Sequence, residues 1–301
     1  MTVAIVGTGL AGLACALNLD ASGTRVVLFD KSRGYGGRMA SRRREGMVFD
    51  HGLSAFDPLP AETIPVFADS PEWMGHGRVA TPRMNAFPRA LGENFESRLG
   101  RRVIRIDGAS LTLTDEAGKR HEGFERIVVA VPAPQALDLL DRLDEAFAPV
   151  AGAAYTPCWT LMLGGVGMGA TDVLLPEDGP LDMIVNEATK PGREAVPASI
   201  VAHARADWAQ AHLEREPEDV ARDLCAALAR LADIDPDAAR YRAAHRWRYC
   251  RPRKVVPEPF LLSGDGRIGA CGDWCGADRS GGDARAAWRS GAALAAAIAG
   301  R

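Results

Sequence analysis

Gly7, Gly9 and Gly12 stand at the spacing G-x-G-x-x-G, and Asp30 follows on a second apolar run. Glycines so placed permit a tight turn, let a backbone approach a pyrophosphate and let the next helix pack closely on its strand. A carboxylate about 20 residues on is set to meet a ribose hydroxyl. A second turn, Gly36-Gly37-Arg38, offers another close backbone approach and a cation for phosphate charge. Near the other end, Gly272-Asp273 places a carboxylate where it could bond a sugar-alcohol chain such as ribityl. A nicotinamide dehydrogenase has no use for the second turn or for that distant acid, whereas an extended flavin dinucleotide needs both. FAD is therefore the expected cofactor and redox chemistry the expected activity. If the donor is a dihydronicotinamide, little acid–base machinery is needed: hydride can pass directly to flavin N5, with the protein supplying position and polarity. The residues sought on the donor side are then rings and polar contacts. Trp247 is the candidate ring against the isoalloxazine, set against the alternative of a strand tryptophan filling a domain interface. His245 and His51 are candidate polar contacts or proton acceptors, set against purely structural roles. His51 is favoured by Gly52, which should bring its backbone close to the flavin. Arg83 and Trp288 are further pocket candidates.

The elements that must position these residues read as an α/β fold. Residues 3–6 are apolar without alternation, as in a parallel strand covered on both faces. Residues 13–19 supply a helix whose N-terminal N–H groups and dipole face the phosphates. Residues 25–29 form the second strand, and 126–131 form a third solid apolar run returning to the same sheet. Residues 267–273 are expected to be a strand leading into a turn, and 285–299 a helix. The start of that helix, near Asp283, could aim its N–H groups at the flavin pyrimidine edge.

Between these lie a proline-rich stretch (57–88) read as loops with short helical pieces, strands at 102–106 and 110–114, and a helix over 134–147. Residues 155–205 are strand-like with breaks at 164–169 and 177–180. An amphipathic helix over 217–232 carries Val220, Leu224, Leu228 and Leu231 on one face, and 241–249 reads as a strand. The segment Gly165 to Ala170 also fits G-x-G-x-x-A, but Pro176 follows where a helix would have to run, so a strand–turn–strand is expected there.

A net charge of −3 gives no reason to propose nucleic acid or an anionic membrane as partner. Arg42-Arg43-Arg44 reads as a solvated basic turn. The six cysteines are scattered: Cys15 reads as a core residue, and the three-residue gap between Cys271 and Cys275 is not a metal-ligand spacing, so no metal is expected. The nucleotide motif begins at residue 3 and no apolar stretch approaches the roughly 18 residues of a membrane span, so a cytoplasmic location is expected.

Several segments together resemble the bacterial renalase-like branch of the flavin-containing amine oxidase superfamily. They are 29–39, Asp50-His51-Gly52, 82–86, His245-Arg246-Trp247-Arg248-Tyr249, Cys271-Gly272-Asp273-Trp274 and 287–291. The resemblance implies noncovalent FAD and a p-hydroxybenzoate-hydroxylase-like architecture: a Rossmann-like FAD domain with a parallel sheet, plus a smaller α+β substrate domain. The FAD domain would be discontinuous (1–50, 80–135 and 246–301), with 51–79 and 136–245 as the cap. Cofactor contacts would fall on Gly7, Gly9, Leu10, Ala11, Gly12, Asp30, Lys31, Gly37, Arg38, Gly52, Val103, Gly272, Asp273, Asp283 and Ala284. The substrate would be a small ring-shaped donor, an aberrant dihydro-NAD(P) isomer, with O2 reoxidising the flavin to give H2O2. Departures lie at Leu53-Ser54-Ala55, where the branch carries an amide and a phenol, and at Ala284-Arg285, where it carries Val-Glu. Two alternatives stay open: an amine oxidase, for which Lys190 and Lys254 are among the few lysines, and an FAD-binding sensor without turnover.

Overall fold

Four of the apolar runs become the centre of one sheet. In the computed structural model, which describes residues 1–57, 70–194, 197–231, 234–280 and 282–300, Thr2–Val6 pairs in parallel with both Arg25–Asp30 and Arg126–Val129. Arg126–Val129 in turn pairs in parallel with Ile268–Ala270. The full order is 261–262, 268–270, 126–129, 2–6, 25–30, 96–99. Val3, Ala4, Ile5, Ile127, Val128 and Val129 are completely buried, which is why these strands show no polar alternation. Two short edge strands, Glu96–Leu99 and Leu261–Leu262, lie outside the elements expected from the sequence. Helices Leu10–Ala21 and Gly282–Ala299 pack side by side, so the two ends of the chain meet. Val103–Asp107, Thr112–Asp115 and Arg120–His121 form a separate antiparallel meander.

These elements belong to the first of two units, comprising 1–37, 88–154 and 252–301. The second comprises 38–87 and 155–251. The divisions expected from the sequence lie elsewhere, at 50/51, 79/80, 135/136 and 245/246. Residues 38–50 go with the second unit because Arg42–Arg44 and Met47–Phe49 form a hairpin whose Val48 carbonyl accepts from Ser199 Oγ (2.7 Å). Residues 136–154 go with the first unit, through contacts of helix Ala133–Leu140 with Val103–Asp107. That helix is shorter than expected. Arg142 turns at φ 63°, and a 3-10 helix, Glu145–Gly152, follows, capped by Asp144.

In the second unit, Val173–Leu174, Leu181–Asn186, Ser199–Ala204, Ala154–Gly164 and Tyr241–Lys254 lie in that order in a five-stranded sheet. Gly165 to Ala170 is a turn between strands and not a second nucleotide loop. One face of the sheet buries Trp159, Leu161, Leu163, Ile184 and Ile200 against Val220, Leu224 and Leu228 of helix Pro217–Leu231. Leu231, expected on the same face, is 37% exposed at the helix end. Within 70–88 the structure has a hairpin, Glu72–Trp73 with Gly77–Arg78, which is not among the expected loops and helical pieces, and then the start of a short helix, Ala86–Gly92. Pro58, Pro60 and Pro65 lie outside the described residues.

Candidate functional site

In the first unit, the carboxyl ends of the parallel strands carry the cofactor-binding candidates, the edge at which open α/β sheets take ligands. Gly7 turns at φ 110°, and a side chain there would run into the Ala130 carbonyl. Gly12 lies so close to the Gly7 carbonyl that the helix has no room for a Cβ. Leu10 and Ala11 open the helix, and Gly9 before them supplies no side-chain cap, so the first-turn N–H groups are left for a ligand. A Cβ built on Gly9 meets nothing within 4 Å, and one on Gly37 lies 3.7 Å from Gly9 Cα. The second glycine turn is tied to the first, since Gly36 N–H donates to the Thr8 carbonyl at 2.9 Å. A bare helix start flanked by two open glycine backbones fits a pyrophosphate.

Asp30 ends its strand as expected. Its carboxylate accepts from Thr8 N–H (2.8 Å), Thr8 Oγ1 (2.7 Å) and Ser32 N–H (2.7 Å), which brace the loop from within. Burial, with the neighbouring Arg102 charge, lowers the Lys31 pKa against the opposing pull of Asp30. Val103 is buried opposite Asp115 in the meander. Asp273 is buried just past Ile268–Ala270, and Gly272 N–H is held by Ser290 Oγ at 3.0 Å. Asp283, in the first turn of helix Gly282–Ala299 beside Ala284, pairs with Arg279, whose other end donates to the Asp273 carbonyl. Trp288 is buried within this helix.

In the second unit, the structure brings His51, His245 and Trp247 together. The His51 and Trp247 rings stack with centroids 5.4 Å apart, and His245 sits edge-on to both, at 4.9 and 4.5 Å. Trp247 Nε1 donates to the His51 carbonyl at 2.8 Å. At Gly52 a Cβ would collide with the Arg38 carbonyl and lie 3.2 Å from the Trp247 ring. Arg38 Nη1 donates to the Cys250 carbonyl at 3.0 Å. Burial lowers the pKa of both histidines to about 4; the Arg42 charge lowers both as well, while the Phe49 carbonyl pulls His51 the other way. Both imidazoles are therefore neutral at neutral pH, which suits a polar wall better than a strong base. Arg83 binds its neighbour Asn85 at 2.8 Å.

Residues 5–69 match the family of NAD(P)-binding Rossmann-like domains. Over 52 residues the chain is 44% identical to a 4,4'-diapophytoene desaturase of Staphylococcus haemolyticus and 38% identical to one of Staphylococcus aureus. Those matches cover 17% of this chain and 10% of the relatives' own length. Among solved structures, cyclohexylamine oxidase from Brevibacterium oxydans aligns with a TM-score of 0.66 at 14% identity, covering 99% of this chain and 98% of that one. Putrescine oxidase bound to putrescine aligns over the whole of both chains (TM-score 0.60, 14% identity). Reduced UDP-galactopyranose mutase aligns at TM-score 0.60 and 12% identity, over 83% and 82% of the two chains. These likenesses establish the expected α/β fold, with a parallel-sheet Rossmann-like unit and an additional antiparallel sheet.

Two groups in the second unit carry no sequence signal of the role they play. Asp50 stands in the sequence only as part of the Asp50-His51-Gly52 motif. It is a buried hub that accepts from Ser41 Oγ (2.6 Å), Met84 N–H (3.0 Å), Lys190 Nζ (3.3 Å) and Arg193 Nη2 (2.7 Å). Burial pushes its carboxyl up, but Lys190 and Arg193 outweigh that and hold it well below the usual range. His203, which carried no motif, bonds Ser54 Oγ through Nε2 and Thr160 Oγ1 through Nδ1, both at 3.2 Å; burial lowers its pKa to about 3. Lys190, a candidate for the amine-oxidase alternative, is engaged by Asp50 and by Glu187 at 2.7 Å. Lys254 is exposed at the end of its strand. Among the described residues no cluster of three His, Cys, Asp or Glu is placed to hold a metal ion, and no helix is long and apolar enough to cross a membrane.

Proposed function

We propose that this chain is an FAD-dependent oxidoreductase that takes hydride from a dihydronicotinamide with its hydride on an unproductive ring carbon and passes the electrons to O2, forming H2O2. The observation that carries the cofactor reading is the pair of glycine turns locked together through Thr8 and Gly36 in front of a bare helix N-terminus. In this reading the backbone of Gly9, Leu10, Ala11, Gly12 and Gly37 grips the pyrophosphate. Asp273 serves the ribityl chain, and the start of helix Gly282–Ala299 serves the flavin. Arg38 and Gly52 are further expected contacts. Bound FAD supplies a two-electron acceptor. The chain's own residues orient the donor: Trp247 and His51 offer a stacked ring surface for a flat molecule, and the neutral imidazoles add polarity without a competing positive charge.

Amine oxidation is the second reading, favoured by the likeness to cyclohexylamine and putrescine oxidases. It is weakened by Lys190, whose ammonium is engaged by Asp50 and Glu187. Reconstitution with FAD should give an equimolar flavoprotein. Anaerobic addition of donors then decides: bleaching by a dihydronicotinamide isomer supports the first reading, and bleaching by amines alone supports the second. Tight FAD with no bleaching by any donor points to a sensor without turnover.

A further inference from the structure

Around Asp50 the second unit buries a knot of charge that hydride transfer does not use. Lys190 bridges Asp50 and Glu187, Arg193 pairs with Asp50, and all four side chains are 2% exposed or less. The Trp73 ring lies beside them, its centroid 5.5 Å from Lys190 Nζ. Asp50 is fully engaged by its partners, but the rest of the cluster is not. Trp73 Nε1, Glu187 Oε2 and both Arg193 Nε and Nη1 are buried without a hydrogen-bond partner. Buried polar atoms are rarely left in that state, so each asks for an explanation.

The unmet atoms share one character. The indole and guanidinium nitrogens only donate. Burial, opposed by Lys190 and reinforced by Asp50, pushes the Glu187 carboxyl up to about 7, and when protonated its free oxygen donates too. Two cations then face a single carboxylate, leaving one positive charge uncompensated. With Glu187 protonated, a water molecule would accept some of these donors but would add two protons of its own with no acceptor among the unmet atoms. A cation is repelled. A small anion answers both the donors and the charge.

We propose that the cluster of Asp50, Lys190, Glu187 and Arg193, closed by Trp73, is a binding site for a small monovalent anion of halide size. Asp50 directly precedes His51 in the chain, yet the site is independent of which donor the protein oxidises.

The test uses the purified full chain moved from a gluconate buffer into bromide at matched ionic strength. The expected result is a saturable rise in the thermal midpoint with bromide, and anomalous bromide density in a crystal beside Arg193 and Trp73. Trp73→Phe keeps the ring but removes one donor, and Arg193→Lys keeps the charge but removes the free guanidinium donors. Each should weaken bromide binding by about three- to tenfold. Glu187 is faced by Lys190, Arg193 and Asp50, and affinity should fall as pH rises through about 7, where it loses its donor proton. Identical midpoints in bromide and gluconate, with only water in the density, would overturn the proposal. So would bromide binding that both variants leave unchanged.

Discussion

In the first unit the residues proposed to grip the cofactor are mostly backbone positions within a few residues of strand ends. In the second unit the candidate donor-facing groups, and the buried charges beside them, are side chains drawn from distant stretches. Lys190 meets Asp50 across 140 residues, and Trp247 meets His51 across 196. The difference is physical. A pyrophosphate is held by N–H groups that any residue can present, so the demand falls on glycine spacing and helix position. A donor pocket is held by particular rings and charges, whose neighbours are set by sheet register. The first unit should therefore fail through backbone changes, and the second through loss of side-chain partners.

Four changes would break or sharpen that contrast. Lys190→Met should have the largest effect. It strands Asp50 without one of its two cations and should cost about 3–5 kcal/mol in urea unfolding, while the FAD content of the protein that does fold stays unchanged. The next effect is on acid stability. His51 and His245 titrate near 4 and His203 near 3, against a usual 6.5. Their folded pKa values are depressed, so their contribution is whole above 6.5 and declines as pH falls toward 4. The loss is on the order of 3 to 5 kcal/mol per histidine at most, the larger figure for His203. Glu187 has the opposite sign: its raised pKa stabilises below its ordinary 4.5, and that contribution is lost as pH rises through about 7. Unfolding across this range should show His203→Gln with a slope shallower by up to one proton.

Gly7→Ala should cost about 1–3 kcal/mol through backbone strain, and its clash with the Ala130 carbonyl should abolish FAD retention. It thus separates the first unit from Lys190→Met, which spares the cofactor. Trp247→Phe should have the smallest effect on stability, about 1 kcal/mol for the lost bond to the His51 carbonyl.

Legibility in the sequence follows the same line. The strands at 2–6, 25–30 and 126–129 are read directly, because burial on both faces removes polar alternation. The glycine turns at 7–12 and 36–37 are read from spacing alone. Glu96–Leu99 is missed because an edge strand needs no apolar run, and Leu261–Leu262 because two residues are too few to show a period. Helix Ala133–Leu140 is overextended because Leu143 continues its spacing, while the left-handed turn at Arg142 has no signature in residue type. The grouping of His51, His245 and Trp247 is only half legible: each residue stands out in the sequence, but their stacking joins positions 196 residues apart that no local pattern connects. The Lys190–Glu187–Arg193 cluster is not legible, since charged residues near Gly and Pro ordinarily mark a solvated turn.

The most direct test of this division of labour is the anaerobic reductive half-reaction of FAD-loaded Trp247→Leu, followed at the flavin's visible band with a dihydronicotinamide isomer as donor. The account predicts full FAD content with reduction slowed by about tenfold or more, as a misplaced donor requires. Reduction at the wild-type rate, or FAD lost from a protein that is otherwise folded, would contradict it.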